Sequence, residues 1–238
     1  MRLPSRSADP YLDDDVVDSR APRFNQATIA TLSTLGVITG WWPVLALLAI
    51  QLGVGLRFGR QYCLPCVVYF EVLQPRLGEG PVEDARPPRF ATQVGFGVLA
   101  LASVAYLAGL TLLGAAFGLL VAVLAGLAAT TGFCVGCELY KLGAVRRGIR
   151  RRQLDRIDLA DLTDLGASAP GEGLVVSFGH PLCTDCREFE ASVRASGRPL
   201  VAIDVRRRGD LARKYGIALV PTAVAIGADG SVTARLAG

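Results

Sequence analysis

The fold is decided by residues 90 to 137, which read FATQVGFGVLALASVAYLAGLTLLGAAFGLLVAVLAGLAATTGFCVGC. This run contains no Asp, Glu, Lys or Arg. As one continuous helix it would reach about 70 Å, at about 1.5 Å per residue, whereas the hydrocarbon core of a bilayer is about 30 Å thick. We therefore expect the run to cross a membrane twice, with a turn between Gly109 and Gly114.

A second uncharged run covers residues 24 to 56 and is harder to divide. As helix it would be about 50 Å long, which is long for one upright span and short for two. The tetrapeptide GWWP at residues 40 to 43 favours two short spans, because tryptophan suits the membrane interface and proline suits the first turn of a helix. One tilted, proline-kinked span is the alternative. Residues 24 to 140 are thus predicted to form an α-helical membrane domain of two helical hairpins, about four spans.

Composition agrees with a lipid environment and excludes some functions. The chain is 51% hydrophobic, with a mean hydropathy of +0.40. Its net charge of +4 is small, and its arginines lack the interleaved aromatic residues that stack on bases, so no nucleic-acid partner is expected. Residues 1 to 23 are too polar for a signal peptide and are predicted to be a disordered tail, with four acidic residues in the middle: Asp13, Asp14, Asp15 and Asp18.

The distribution of basic residues predicts the orientation in the membrane. If residues 90 to 137 cross twice, the loop from 57 to 89 and everything after 137 lie on one side. That side carries most of the membrane-flanking basic residues: Arg57, Arg60, Arg76, Arg86, Arg89, Lys141, Arg146, Arg147, Arg150, Arg151, Arg152 and Arg156. By the positive-inside rule, this side is predicted to face the cytoplasm. We expect a multi-pass protein of the cell membrane with a cytoplasmic C-terminal domain.

All six cysteines fall into three Cys-x-x-Cys pairs: Cys63 with Cys66, Cys134 with Cys137, and Cys183 with Cys186. Structural cysteines that act as small hydrophobic residues have no reason to share a spacing. The pattern therefore calls for a chemical explanation.

Residues 141 to 173 are predicted to connect two domains. Apolar residues recur every three to five positions between the arginines of residues 141 to 165, as in a basic amphipathic helix on an anionic leaflet, with a solvated connector helix as the alternative. Residues 166 to 173, GASAPGEG, have the composition of a linker. The last domain is therefore expected to begin at residue 174.

Residues 174 to 238 predict a small α/β domain. Apolar strands are expected at residues 174 to 178, 200 to 205, 222 to 226 and 232 to 236, with helices after Cys183 and at residues 209 to 215. An Asp-Gly turn at residues 229 and 230 joins the last two strands. This order predicts a mixed sheet with helices on its faces.

These features resemble the thioredoxin family, over about a quarter of the chain. The resemblance implies that Cys183 is the exposed nucleophile, that Cys186 resolves the mixed disulfide, and that Pro221 follows a cis peptide bond beside them. A helix N-terminus also stabilises a thiolate at Cys183. Two departures are present: Ser177 replaces the family's buried acidic residue, and the chain lacks the family's last helix, so the domain is predicted to be truncated.

The rest of the chain resembles a bacterial family of integral-membrane domains of unknown function. The motifs are RAPRFNQ at residues 20 to 26, RLG at 76 to 78, PPRFA at 87 to 91 and GFCVGCELY at 132 to 140. The resemblance covers about residues 18 to 141. It implies a membrane location and a loose association with thioredoxins and sulfur-handling proteins, and it implies no reaction.

The four cysteines of the membrane domain are expected at a similar depth on one side, where they can meet. Cys63, Cys66, Cys134 and Cys137 then form a dithiol relay with the third pair, bind zinc or an iron–sulfur cluster, or remain inert buried thiols. Nothing else in the sequence requires a cofactor.

Three functions are compatible with these features. The first is a membrane-anchored thiol–disulfide oxidoreductase that passes electrons, or a persulfide sulfur, between its membrane cysteines and a cytoplasmic thiol or sulfur-carrier protein. The second is a membrane scaffold with a four-cysteine metal site and a thioredoxin-like domain used only for docking. The third is similar to the vitamin K epoxide reductase family, which passes electrons to quinone but has its dithiols on the outer side, whereas the arginines here predict the inner side.

Overall fold

The computed structural model describes residues 8–151, 154–163, 173–217 and 219–237. The chain forms two compact units. The helical unit comprises Ala8–Pro81 and Ala85–Tyr140, and the C-terminal unit comprises Val82–Asp84 and Lys141–Gly238. Each unit has a hydrophobic core of its own.

The helical unit is built on four long helices. Its elements in chain order are β1 (Val16–Asp18), α1 (Arg20–Ile38), α2 (Pro43–Phe58), α3 (Leu64–Val68), a π-helical turn (Tyr69–Leu73), α4 (Gln74–Leu77), α5 (Arg86–Leu107), α6 (Thr111–Thr131) and the start of α7 (Val135–Arg151). Helix α1 packs along α6, α2 packs along α5, and α5 packs against α6. Apolar side chains from all four helices fill the core between them.

The two uncharged runs are broken where the sequence predicts. Between α1 and α2, Gly40 has a φ of +69°, and Pro43 is the first residue of α2, where its missing N–H costs no hydrogen bond. Between α5 and α6, Gly109 has a φ of +77°. Only glycine adopts such angles without strain, so both chain reversals depend on these residues.

Within the described residues, α5 and α6 are long and apolar enough to cross a membrane. Their apolar windows are only 22% and 28% buried, whereas the core helix of a soluble protein would be mostly buried. Helix α2 is apolar but shorter, at 16 residues. The structure therefore contains candidates for two of the four predicted spans.

The N-terminal segment differs from the predicted disordered tail. From Ala8 onward it is folded, and Asp13 and Asp18 are buried. The cost of burying these carboxylates is offset by the hydrogen bonds that they accept within the unit. Asp18 alone accepts three from distant residues: Tyr69 Oη at 3.0 Å, Gln74 Nε2 at 3.3 Å and Gly80 N at 2.9 Å. Residues 1 to 7 lie outside the described residues.

The C-terminal unit contains the predicted mixed sheet. Its elements are β2 (Val82–Asp84), most of α7, α8 (Leu159–Thr163), β3 (Leu174–Gly179), α9 (Thr184–Ala195), β4 (Leu200–Asp204), α10 (Gly209–Lys214), β5 (Thr222–Ile226) and β6 (Val232–Ala237). The four-stranded sheet has the order β4-β3-β5-β6. Strand β3 pairs parallel with β4 and antiparallel with β5, which pairs antiparallel with β6.

The predicted amphipathic helix over residues 141 to 165 is not continuous. Helix α7 starts earlier and ends at Arg151, and the apolar side chains of Leu154, Ile157 and Leu162 are buried in the core of the sheet domain. The N–H of Ile157 donates to the carbonyl of Gly230 at 2.8 Å, which fixes this segment to the β5–β6 turn. Residues 154 to 163 thus belong to the sheet domain and cover part of its core. The predicted linker lies outside the described residues except for Gly173.

Candidate functional site

The Cys183–Cys186 pair lies at the start of α9. Cys183 is the N-cap residue, and its Sγ accepts a hydrogen bond from the N–H of Cys186 at 3.2 Å. The two sulfurs form a disulfide. Helix α9 has 12 residues, so the unpaired N–H groups of its first turn favour a thiolate at Cys183 when the pair is reduced.

Gly179, the last residue of β3, makes room for this pair. A Cβ at that position would lie 3.3 Å from Cys186 Cβ and 3.7 Å from Cys186 Sγ. It would also lie 3.3 Å from Glu190 Oε1. The resolving cysteine and the carboxylate of Glu190 therefore both pack against the backbone of this glycine.

His180 shapes the turn that leads to the dithiol. Its Nδ1 accepts a hydrogen bond from the N–H of Leu182 at 3.2 Å, and its carbonyl accepts one from the N–H of Cys183 at 3.0 Å. These contacts hold Cys183 at the N-cap position. Ser177, on β3, is completely buried, and among the described residues its hydroxyl has no hydrogen-bond partner.

The pairing of β5 with β3 places Pro221 at the end of the sheet from which the chain continues to the dithiol. The Val220–Pro221 peptide bond is cis. Strand β5 starts at the next residue, Thr222, which pairs with Phe178 near the end of β3. Because β5 runs antiparallel to β3, Pro221 precedes β5 at the same end of the sheet at which β3 ends, four residues before Cys183.

Strand β2 packs against α9 within the same unit. The N–H of Val82 donates to Thr184 Oγ1 at 2.9 Å, and the carboxylate of Asp84 accepts from the N–H of Val220 at 3.3 Å. Cys183 is only 1% exposed, which differs from the exposed nucleophile that the thioredoxin resemblance implies. This contact could not be predicted, because three residues in a long loop carry no pattern that marks a docking strand.

In the helical unit, Cys63 and Cys66 form a disulfide at the start of α3. Cys63 is the N-cap residue and its carbonyl accepts the N–H of Val67 at 2.9 Å. A Cβ on Gly55 of α2 would lie 3.3 Å from Cys63 Cβ, so this glycine lets the cysteine pack closely on the helix.

Cys134 and Cys137 are not joined by a disulfide, and they have the same local arrangement as the pair on α9. Cys134 directly precedes α7, and its Sγ accepts the N–H of Cys137 at 3.3 Å. Hydrogen bonding from the Cys137 side chain, against an opposing effect of burial, lowers the pKa of Cys134 to about 6. At neutral pH Cys134 is therefore a thiolate, the nucleophilic form of cysteine.

The glycines of the GFCVGC motif have distinct structural reasons. Gly132 ends α6 with a φ of +78°, which reverses the chain just before Cys134. Gly136, between the cysteines, approaches the backbone of α5: a Cβ there would lie 2.8 Å from Ala91 Cβ and 2.9 Å from Ala91 Cα. Only glycine brings the first turn of α7 this close to α5.

Three of the four cysteines of the helical unit border one cavity of about 310 Å³. Cys63, Cys66 and Cys134 lie on its wall, and its remaining lining is mostly apolar side chains of α1, α2, α5 and α6. Asn25 and Arg60 also line it, and among the described residues Asn25 Oδ1 is buried without a hydrogen-bond partner. The cavity has the size of a small-molecule site, which is about 300 Å³ or more.

The structure provides no metal-binding cluster in the part of the chain that it describes. There, no three His, Cys, Asp or Glu side chains converge as a metal ion requires. The disulfide between Cys63 and Cys66 also engages two of the four thiols that a four-cysteine site would use.

Fold and site together define a helical domain with candidate membrane helices and two cysteine pairs, accompanied by a small α/β domain with a third. The chain belongs to the family described as "Domain of unknown function (DUF4395)", whose model matches residues 17–144. This confirms the resemblance over residues 18 to 141, and the match ends before the α/β domain. No curated protein and no solved structure matches the chain.

Proposed function

We propose that the protein is a membrane-anchored thiol–disulfide oxidoreductase whose thioredoxin-like C-terminal domain reacts through Cys183 and Cys186. One observation carries this proposal: two separate dithiols share one local arrangement. In each, the first cysteine precedes a helix and its Sγ accepts the N–H of the second, at 3.2 Å and 3.3 Å. Buried thiols that act only as hydrophobic residues have no need of this geometry, whereas a nucleophilic thiolate does.

The exchange proceeds in two balanced steps. The Cys183 thiolate attacks a disulfide sulfur of the partner, forms a mixed disulfide and releases one partner thiolate. Cys186 then attacks Cys183 Sγ, which breaks the mixed disulfide, releases the second partner thiolate and forms the Cys183–Cys186 disulfide. The partner gains two electrons and the domain loses two.

The same chemistry gives the membrane cysteines a role. The Cys134 thiolate and the Cys63–Cys66 disulfide border one cavity, so thiol–disulfide exchange between these pairs is the simplest use of both. We propose that they supply or remove electrons for the C-terminal dithiol, with a cytoplasmic thiol or sulfur-carrier protein as the partner. Four spans and a cytoplasmic C-terminal domain are part of this proposal, supported by the arginine distribution.

The test is mixed-disulfide trapping in native membranes with Cys186→Ser, followed by mass spectrometry of whatever is bound to Cys183. Since Cys183 is 1% exposed, the same variant with Asp84→Asn, which weakens the contact between β2 and Val220, is expected to trap more. Cys183→Ser is the matched control and should trap nothing at this site.

The trapping result separates the competing functions. An adduct with a membrane cysteine supports the relay, and an adduct with a soluble protein identifies the partner. If the folded protein gives no adduct and instead retains metal after purification, the scaffold with a metal site replaces this proposal.

A second candidate, quinone-coupled oxidation of the membrane dithiols, is favoured by the cavity. Cys134 and Cys137 would transfer two electrons to a lipid-soluble quinone and form a disulfide. The Cys137 thiol would supply one of the two protons that the quinol gains and solvent the other, because Cys134 is already a thiolate. Asn25 Oδ1 would accept a hydrogen bond from a hydroxyl of the quinol. The measurement is quinol formation by the reduced protein with decylubiquinone. Asn25→Leu should weaken quinone binding about tenfold through the lost hydrogen bond, whereas Thr28→Val on the same helix should not. Absence of quinol formation would reject this function, and equal quinone binding by both variants would reject the role of Asn25.

A further inference from the structure

The second step of the proposed exchange needs a group that removes the proton of the Cys186 thiol. Cys186 is 1% exposed, so bulk water has little access to it. The thioredoxin resemblance places a buried acid at the position of Ser177, but serine is not a base near neutral pH. His180 Nδ1 already accepts the N–H of Leu182. Another group must therefore serve.

Glu190 has the required placement. It follows Cys186 by four residues on α9, so the two side chains share one face of the helix. Glu190 Oε1 and Cys186 Sγ lie 3.3 Å and 3.7 Å from the same point, the Cβ position that Gly179 leaves empty. The two atoms are therefore at most about 7 Å apart. One water molecule between them would complete a path for the proton.

The environment of Glu190 keeps its carboxylate oriented. The side chain is 18% exposed, and Oε2 accepts a hydrogen bond from the Arg194 guanidinium at 3.0 Å. This contact leaves Oε1 as the oxygen that packs against Gly179. A larger residue than glycine at the end of β3 would crowd both the carboxylate and the resolving cysteine.

We propose that Glu190 is the general base for the resolving cysteine Cys186. This inference rests on the proposed exchange and adds a residue to it. The Cys186 proton passes to the Glu190 carboxylate through a water molecule, the thiolate attacks Cys183 Sγ, and the departing partner thiolate takes up a proton from Glu190 or solvent. The carboxylate returns to its charged form, so no further reactant is consumed.

Other titratable groups around α9 can also contribute to the pH dependence of mixed-disulfide resolution. They are His180 in the preceding turn, Asp185, Arg187, Glu188 and Arg194 on α9 itself, Glu83 and Asp84 on β2, and Asp204 on β4. Strand β3, which also packs against α9, carries no charged residue. Of the carboxylates on α9, Glu188 is exposed and two residues from Glu190, so it is the matched control.

The experiment measures resolution of a preformed mixed disulfide in the full-length protein. Reduced protein reacts with a peptide whose cysteine carries thionitrobenzoate, and the rates of mixed-disulfide formation and of peptide-thiol release are followed separately between pH 5 and 10. In Glu190→Gln, resolution at neutral pH is expected to be about a hundredfold slower, because general bases contribute about 10² or more. The difference should vanish above the pKa of the thiol, where no base is needed. Glu188→Gln should match the wild type, and Glu190→Asp should recover part of the rate.

Two results would overturn the role of Glu190. One is an unchanged pH profile in Glu190→Gln, and the other is an equal slowing at every pH, which a purely structural role would produce. Failure of the proposed function looks different, because no mixed disulfide then forms at Cys183 in any variant, including Glu188→Gln.

Discussion

Gly136 offers a direct test of how the membrane dithiol is positioned. It lies between Cys134 and Cys137 in the first turn of α7, against α5. A Cβ there would lie 2.8 Å from Ala91 Cβ and 2.9 Å from Ala91 Cα. Neither atom can rotate away, so Gly136→Ala must push the two helices apart.

The expected loss of stability follows from two opposing effects. Overpacking of a close contact costs about 1–3 kcal/mol, and this site should fall at the upper end because no side chain can yield. Alanine is a better helix former than glycine by about 1 kcal/mol, which offsets part of this cost. The net destabilisation should be about 1–2 kcal/mol, or a decrease of about 2–8 °C in unfolding temperature for a chain of this size.

Thermal unfolding of the purified protein in detergent measures this loss. Gly97→Ala is the matched control, because Gly97 is also in a helix and a Cβ there would have no neighbour within 4 Å. A second readout is the pH dependence of Cys134 alkylation, whose midpoint should rise as the first turn of α7 is displaced. If Gly136→Ala unfolds at or above the temperature of Gly97→Ala, the close approach does not exist in solution.

Three further predictions concern single groups. Alkylation of Cys134 by iodoacetamide should be half-maximal near pH 6, because the pKa of this thiol is lowered to about 6. Cys137→Ala should raise that midpoint. A wild-type midpoint near that of an ordinary cysteine would contradict the lowered pKa. Asp18→Asn should lower the free energy of unfolding by about 2–4 kcal/mol in thermal denaturation, because an NH2 group replaces a carboxylate oxygen of this buried side chain and disturbs the hydrogen bonds that it accepts. Asp14→Asn, at an exposed site, should change the free energy of unfolding by no more than about 0.5 kcal/mol. Ser177→Ala should raise the stability to chemical denaturation by about 1 kcal/mol by removing a buried hydroxyl that has no partner in the described residues, and a loss of stability would reveal a partner.

The sequence predicted the elements of the sheet domain to within one or two residues. Short apolar runs bounded by Gly, Pro and Asp specify strands locally, and the strands found at Leu174–Gly179 and Leu200–Asp204 follow them. The breaks at Gly40 and Gly109 were also predictable, because glycine and proline interrupt helices through their own backbone geometry.

Features that depend on distant partners could not be predicted. The acidic composition of residues 1 to 23 predicts a disordered tail, yet Asp18 is buried because Tyr69 and Gly80 donate hydrogen bonds to it. The apolar spacing of residues 141 to 165 predicts a surface helix, whereas Ile157 and Leu162 complete the core of the sheet domain. Sequence alone does not point to Glu190, because its nearness to Cys186 and Gly179 arises only when α9 packs on β3.

The glycines beside the cysteines connect the structure to its proposed chemistry. Gly55 lets Cys63 pack closely on α2, Gly136 brings the turn that carries Cys134 onto α5, and Gly179 lets Cys186 pack against the end of β3. Each pair is thus held against a neighbouring element by a close approach that a side chain would disturb. Because this packing fixes the cysteines at the start of a helix, where a thiolate is stabilised, substitution of these glycines is expected to change the reactivity of the thiols as well as the stability of the fold.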